Sequence, residues 1–194
     1  YASSSDCVVV VQEILRMISS ISDEKTRTSS LESRVPKGGI VGLGMTAGCT
    51  AMIGAMMTSR GEIVSLLLKH GADPVATDIT GNDPLMFASI FGRTDNVRFW
   101  LKKFPDWDLE RRNTVNGAVA LGCAVYMGPH RLELVKLLLK HGATMSTKNF
   151  SGSTILTSLC ASEDCDPELV KMVCSSRDCF VNSRRYGKNL KWKT

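Results

Sequence analysis

The sequence is poor in aromatic residues, and its charges are nearly balanced. Aromatic side chains make up 6% of the chain, and 24 Lys and Arg stand against 19 Asp and Glu, a formal net charge of +5. This small excess favours weak attraction to acidic partners but lacks the basic footprint of a nucleic-acid-binding domain unless the basic residues cluster. They do so in segment 184–194, which also fits the start of a further structural unit. We expect no nucleic-acid partner.

Catalytic motifs are missing as well. The histidines His70, His130 and His141 have no Ser or Cys nucleophile beside them in a recognisable arrangement, and no paired carboxylates mark a plausible cleft. The Gly-rich residues 38–44 are not followed by the Lys-Ser or Lys-Thr that completes a phosphate-binding loop. We predict that the chain is not an enzyme, has no catalytic residues and needs no cofactor.

The third absence is a long run of large apolar side chains. No charged residue occurs between Lys37 and Arg60, and Gly44 and Gly48 have the small-xxx-small spacing of packed transmembrane helices. The stretch nevertheless contains six glycines and few large aliphatic side chains. We therefore predict no membrane span.

A heptapeptide recurs letter for letter along the chain. Leu-Leu-Leu-Lys-His-Gly-Ala occupies both 66–72 and 137–143, and the related Val97-Arg-Phe-Trp-Leu-Lys-Lys103 lies between them. Glycines that open similar segments stand at positions 48, 81, 117, 152 and 187, in steps of 33, 36, 35 and 35. A nearly constant period of this size is the signature of stacked repeats, in which each unit buries its apolar face only against its neighbours.

The units resemble the ankyrin repeat. The first reads Gly48-Cys-Thr-Ala-Met-Ile-Gly-Ala-Met56 and then Glu62-Ile-Val-Ser-Leu-Leu-Leu-Lys-His-Gly-Ala-Asp73. The family pattern runs Gly-x-Thr-Pro-Leu-His-x-Ala-Ala, then Gly, then Glu-Ile-Val-x-Leu-Leu-Leu-x-x-Gly-Ala-Asp. The resemblance implies an all-α solenoid of helix-turn-helix units with hairpin loops. It predicts repeats 1–4 in residues 45–180 and the start of a truncated fifth repeat in residues 181–194.

Residues at the helix ends agree with this assignment. Thr50, Asp83 and Thr154 are placed to cap the first helix of a repeat. Gly71 and Gly142 are placed to end second helices in the left-handed conformation. The array departs from the family where a buried His normally stands, at Ile53, Met86, Gly122 and Thr157.

The N-terminal flank has two predicted parts. Residues 1–21 contain an amphipathic helix with Val11, Leu15 and Ile18 on one side. This helix is either a cap over the first repeat, the remnant of an earlier repeat, or a docking helix for a partner. Residues 22–44, which include Ser-Asp-Glu-Lys-Thr-Arg-Thr-Ser-Ser, are predicted to be a flexible linker.

Seven cysteines, an odd number, follow no secretory signal. The pairs Cys160/Cys165 and Cys174/Cys179 each enclose four residues, which is a loose zinc spacing. The repeat register, however, puts Cys160 in a core position. We expect reduced thiols, no metal, and a cytoplasmic or nuclear protein.

The resemblance also implies a binding surface, the concave face built from hairpin tips and the exposed side of each first helix. Apolar residues occupy positions that are normally polar there, which is typical of a partner-binding groove. The same residues are consistent with packing between neighbouring helices. The predicted concave-face residues are Met57, Ile90, Phe91, Tyr126 and Met127.

A second predicted set lies on the loops. Trp107, on an enlarged loop, is either a binding hot spot or a lid over the array edge. Arg111, Arg112 and Lys148 give the hairpin tips a basic bias that favours an acidic partner segment, unless they are merely solvated.

These features predict a protein-interaction scaffold or adaptor that binds an unidentified protein partner on its concave face, and that is itself a monomer. The alternative is a regulatory or targeting module of a larger enzyme or channel. Further sequence that carries a catalytic or multi-span segment would distinguish the two.

Overall fold

A computed structural model describes residues 4–38, 45–58, 61–127, 131–160 and 166–175. Within those ranges, the structure describes only the backbone of residues 4–8, 10, 126, 127 and 131. The predicted fifth repeat in residues 181–194 therefore lies outside the described residues.

The described residues form ten helices, and the eight helices of the four repeats are arranged in two rows. The first helices of the four repeats, α3, α5, α7 and α9, pack side by side in one row, and the second helices, α4, α6, α8 and α10, form the other. Consecutive helices α3/α4, α5/α6, α7/α8 and α9/α10 pair across the rows. The all-α solenoid predicted from the sequence is confirmed. The bounds are α1 (Ser4–Ser19), α2 (Glu24–Leu31), α3 (Ala51–Met57), α4 (Gly61–Lys69), α5 (Pro84–Ile90), α6 (Thr94–Lys103), α7 (Ala120–Met127), α8 (Arg131–Lys140), α9 (Ile155–Cys160) and α10 (Pro167–Ser175).

The predicted helix caps are present. The Asp83 carboxylate accepts a hydrogen bond from the Met86 amide at 2.8 Å, and the Thr50 hydroxyl accepts from Ile53 at 3.4 Å. Thr154 caps α9 in the same way through the Thr157 amide at 3.3 Å. Each cap satisfies an amide that the first turn of its helix would leave unpaired.

The core runs continuously between the two rows of helices. Leu85, Leu121 and Leu159 of the first helices and Leu134 and Leu138 of the second are fully buried. Because each repeat contributes one apolar face and covers that of its neighbour, stacking alone creates this core.

Neighbouring hairpins are joined by backbone hydrogen bonds. The amides of Ile79, Thr114 and Phe150 donate to the carbonyls of Ala47, Thr80 and Asn116 of the preceding hairpin, at 3.2, 2.9 and 2.8 Å. The approach is so close that a Cβ atom on Gly81, whose φ is +77°, would lie 2.8 Å from the Thr114 backbone nitrogen. The hairpins therefore form a row with fixed spacing, and glycine is required at this contact.

Helix α1 extends the row of second helices. It packs against α4, with Leu15 buried in the main core and the Ser19 hydroxyl 2.7 Å from Nδ1 of His70. Its C-terminal end therefore lies beside that of α4, so the two helices run the same way. This packing is compatible with a cap or an earlier repeat, and the role of α1 remains a prediction.

The prediction of a flexible linker over 22–44 is wrong for residues 24–31, which form α2. Asp23 caps this helix by accepting from the Thr26 amide at 2.7 Å, and Leu31 is buried. Glu32 then accepts from the Asp73 amide at 2.8 Å. One cap and one buried anchor order a segment whose polar composition suggested a loop.

Candidate functional site

The concave-face prediction is wrong for Met57. This residue is 3% exposed and packs with Cys49, Ile53 and Phe87 in a small apolar cluster on α3 and α5. Ile53 stands where the family usually has a buried His, and its apolar side chain packs against those of α5. Packing between neighbouring helices, the alternative reading of the sequence, describes Met57.

The rest of the predicted concave-face set is less buried or not described. Ile90 and Phe91 are half-buried at the C-terminal end of α5, and Phe91 packs against the cluster that contains Met57. Tyr126 and Met127 are the last two residues of α7, and their side chains lie outside the described part of the chain.

Two polar side chains that follow α5 bind backbone carbonyls at the C-terminal end of α3. Arg93 Nε donates to the Met57 carbonyl at 2.6 Å, and the buried Asn96 amide donates to Met56 at 3.0 Å. These carbonyls end a helix and would otherwise lack partners. Arg93 is therefore a structural residue.

Trp107 belongs to an aromatic cluster on the enlarged loop. Its ring stands edge-on to Trp100, with centroids 5.1 Å apart, and lies 5.7 Å from the ring of Phe104. The guanidinium carbon of Arg111 lies 5.3 Å from the Trp107 ring centroid, in the range of a cation–π contact. Half-buried Trp107 thus covers the fully buried Trp100, as expected of a lid.

Arg111 also contacts the buried cap of α5. Its Nε lies 3.7 Å from a carboxylate oxygen of Asp83, whose side chain is 2% exposed. Burial raises the pKa of Asp83, while the hydrogen bond from Met86 and the charge of Arg111 act in the opposite direction. Arg111 therefore links the Trp107 loop to α5.

Arg112 clasps two hairpins together. Its guanidinium donates to the carbonyl of Gly117 in its own hairpin at 3.4 Å and to the carbonyl of Lys148 in the next one. Arg34 repeats this arrangement on the Gly48 and Thr77 carbonyls, at 3.0 and 2.5 Å. The clasps come from the similar segments Leu31-Glu32-Ser33-Arg34 and Leu109-Glu110-Arg111-Arg112.

The hairpin tips carry a row of exposed apolar side chains that the sequence analysis missed. Ile79, Val115 and Phe150 are 69%, 67% and 63% exposed, and they stand on three consecutive hairpins. Each stands two residues before an opening glycine, so the spacing contained the signal. We call these three residues the tip row.

The exposed charges beside the tip row are basic, whereas the Asp78 carboxylate next to Ile79 is buried and accepts hydrogen bonds from Thr46 and Thr80. Arg34, Arg112 and Lys148 are exposed, and none forms an ion pair within the part of the chain that the structure describes. Both arginines donate only to neutral carbonyls here, so their charges are not compensated by these contacts. The tips therefore offer apolar contact together with positive charge.

Four of the seven cysteines have described side chains: Cys49, Cys123, Cys160 and Cys174. Cys160 is exposed, so its predicted core position is wrong. Cys165 and Cys179, the second members of the two pairs with zinc-like spacing, lie outside the described residues. Among the described ranges, no three His, Cys, Asp or Glu side chains are grouped as metal ligands. Burial raises the pKa of the Cys123 thiol to about 12, which keeps it protonated at neutral pH.

Within the same ranges, no helix combines the length and the apolar composition needed to cross a membrane.

Comparison with known proteins agrees with the architecture. Residues 47–79 match the family model described as ankyrin repeat, and residues 85–139 match the one described as ankyrin repeats in many copies. The chain is 31% identical over 108 residues to tyrosine-protein kinase HTK16 of Hydra vulgaris. The alignment covers 56% of this chain and 14% of the kinase.

Two mammalian proteins are also similar to this chain over part of its length. Ankyrin repeat and SAM domain-containing protein 6 is 32% identical over 106 residues in Mus musculus and over 120 residues in Rattus norvegicus. These alignments cover 53% and 60% of this chain, and the chain spans only 12% and 13% of those relatives. The period, the paired helices, the hairpin row and the family matches lead to one assignment: the chain belongs to the ankyrin-repeat family.

Proposed function

We propose that this array is an adaptor that binds a partner protein along the tip row and the adjoining concave face. Ankyrin repeats are in general protein-interaction modules. The observation that carries the proposal is the exposure of Ile79, Val115 and Phe150 on three hairpins whose spacing the backbone hydrogen bonds fix. Exposed apolar side chains on a rigid support lose little conformational entropy when a partner covers them.

The charges favour an acidic partner segment. Arg112 and Lys148 lie beside the tip row and attract carboxylates, which raises the rate of encounter and fixes the orientation of the partner. The proposed surface extends along α5 to Ile90 and Phe91, and the repeat register predicts that Tyr126 and Met127 of α7 continue it. Trp107 and Arg111 are the proposed contacts on the enlarged loop.

Partner capture with matched variants tests this proposal. The tagged chain is exposed to extract of its source cells, and the captured proteins are identified by mass spectrometry. Val115→Ser with Phe150→Ser should abolish capture of the partner, because the apolar contact is lost while the backbone is unchanged. Phe91→Glu with Tyr126→Glu should do the same if the first helices take part.

The control is Val75→Ser, which removes an exposed apolar side chain, 51% exposed, away from the hairpin tips. Capture that survives Val115→Ser with Phe150→Ser, or that Val75→Ser weakens equally, contradicts the tip row as the binding surface. Helical circular dichroism of each variant shows that the array is still folded.

A second candidate is a targeting or regulatory module of a larger enzyme. The similarity to a tyrosine-protein kinase, of which this chain spans 14%, supports it. The coding sequence around this segment decides: a kinase or other catalytic domain in the same reading frame supports the module, whereas repeats and interaction domains alone favour the adaptor.

A further inference from the structure

Helix α2 carries a dense run of hydroxyl side chains. Thr26, Thr28, Ser29 and Ser30 lie within its eight residues, Ser33 follows, and all five are exposed. Four of them line, together with Lys25, an open surface cavity of about 420 Å³. These side chains do not favour a helix, since Ser and Thr compete for backbone hydrogen bonds. Neither packing nor partner binding along the hairpins explains them.

We propose that Ser30, with Ser29 beside it, is a phosphorylation site for a serine kinase that selects cations on the N-terminal side of its target. Arg27 precedes Ser30 by three residues, and Lys25 precedes Ser29 by four. Charge patterns of this kind are a common basis of kinase specificity. Neither cation forms an ion pair with a described residue, so both are available to an acidic kinase groove.

Helix α2 is only marginally stable, so the segment can unfold locally and enter the active site of a kinase. Eight residues are too few for a helix to be stable alone in water. Leu31 is the buried residue of α2, and the Asp23 cap lies at the other end. The free energy of local opening of α2 therefore lies at the low end of the range found within a folded protein.

The reaction uses ATP as its second substrate. The Ser30 hydroxyl oxygen forms a bond to the γ-phosphorus, and the bond from that phosphorus to the β–γ bridging oxygen breaks. ADP leaves with the electron pair, and the basic aspartate of the kinase takes the hydroxyl proton.

Phosphorylation acts against the helix that carries it. Ser30 Oγ donates to the Thr26 carbonyl at 2.9 Å, and esterification removes this donor. The phosphate brings nearly two negative charges to the C-terminal turn, where the helix dipole is negative and which contains no basic residue. Phosphorylated Ser30 therefore destabilises α2.

The effect reaches the first repeat through the clasp that follows α2. Glu32 accepts from the Asp73 amide, and Arg34 donates to the neutral carbonyls of Gly48 and Thr77. A phosphate is a stronger acceptor for a guanidinium than a carbonyl is, and it repels the Glu32 carboxylate two residues away. Phosphorylation thus releases the α2 edge, residues 24–34, from the first repeat, while α1 keeps its own contacts with α4.

The first experiment incubates the full chain with ATP, Mg²⁺ and an arginine-directed serine kinase. We expect phosphate on Ser30 or Ser29 by fragment mass spectrometry, lost in Ser29→Ala with Ser30→Ala and strongly reduced in Arg27→Gln. The control Lys136→Gln removes an exposed cation of α8 and should change nothing. No phosphate at these serines, while an Arg-x-x-Ser peptide in the same mixture is modified, overturns the site.

The second experiment measures amide hydrogen exchange and does not depend on a kinase. Ser30→Glu should speed exchange at residues 24–32 and at Asp73 by about two- to fivefold, because it places charge at the wrong end of the helix dipole. Ser22→Glu places the same charge before the N-cap and should not. Unchanged exchange at α2 in both Ser30→Glu and the phosphorylated chain overturns the release of the edge.

Discussion

At the scale of single residues, Asp83 combines two effects of opposite sign, because its carboxylate caps a helix and is also buried. It must accept the Met86 amide to cap α5, and it is buried beside Arg111. Burial raises the pKa of its carboxyl from the ordinary 3.8, so the folded state binds the proton more tightly than the unfolded chain does. The free energy of unfolding contributed by this group therefore falls as the pH rises from 3.8 through the folded pKa.

Two substitutions separate the cap from the charge. Asp83→Ala should lower the free energy of unfolding by about 1–2 kcal/mol, because the Met86 amide loses its acceptor. The loss should be larger at acid than at neutral pH, because alanine also removes the titrating carboxyl. Asp83→Asn keeps an acceptor and removes the titration. Its free energy of unfolding relative to that of the wild type should therefore be highest at neutral pH and lowest at acid pH. Urea unfolding between acid and neutral pH measures both. A difference between Asp83→Asn and wild type that does not vary with pH contradicts a raised pKa.

At the scale of the elements, each repeat needs glycine for two separate reasons: the backbone conformation after the second helix and the space between neighbouring hairpins. Gly81 and Gly142 both have positive φ, +77° and +98°. A Cβ on Gly142 would meet nothing within 4 Å, whereas one on Gly81 would press against the Thr114 backbone. Of these two glycines, only Gly81 lies where two repeats touch.

The pair gives a matched comparison. Gly142→Ala should cost about 1–2 kcal/mol of unfolding free energy, the cost of a left-handed alanine. Gly81→Ala should cost clearly more, because it also displaces the bond from Thr114 to Thr80. Equal losses in urea unfolding would mean that the hairpins are not in the close contact described here.

At the scale of the whole molecule, the sequence predicts the array better than its surface. The repeated Leu-Leu-Leu-Lys-His-Gly-Ala and the spaced glycines fix the period, and the period fixes the stack. Met57 was misplaced because its environment depends on Ile53 and Phe87, which only packing brings together. Helix α2 was missed because its anchors, Leu31 and Glu32, act on residues far along the chain, although the likeness to segment 109–112 was visible.

The predicted loop residues have clearer physical roles than the sequence alone suggested. Arg111 and Arg112 hold carboxylate, ring and carbonyl partners, so their loss would disturb structure as well as binding. The tip row is free of such duties at Val115, which makes that residue the cleaner probe of function.

Amide hydrogen exchange at the tip row tests the central claim most directly. The side chains of Ile79 and Phe150 are exposed, but their amides donate to the preceding hairpin, so the account predicts slow exchange at both amides. Thr114, which makes the corresponding bond, should behave alike. Exchange of these three amides at the rate of an open loop would contradict a row of joined hairpins and the rigid binding surface built on it.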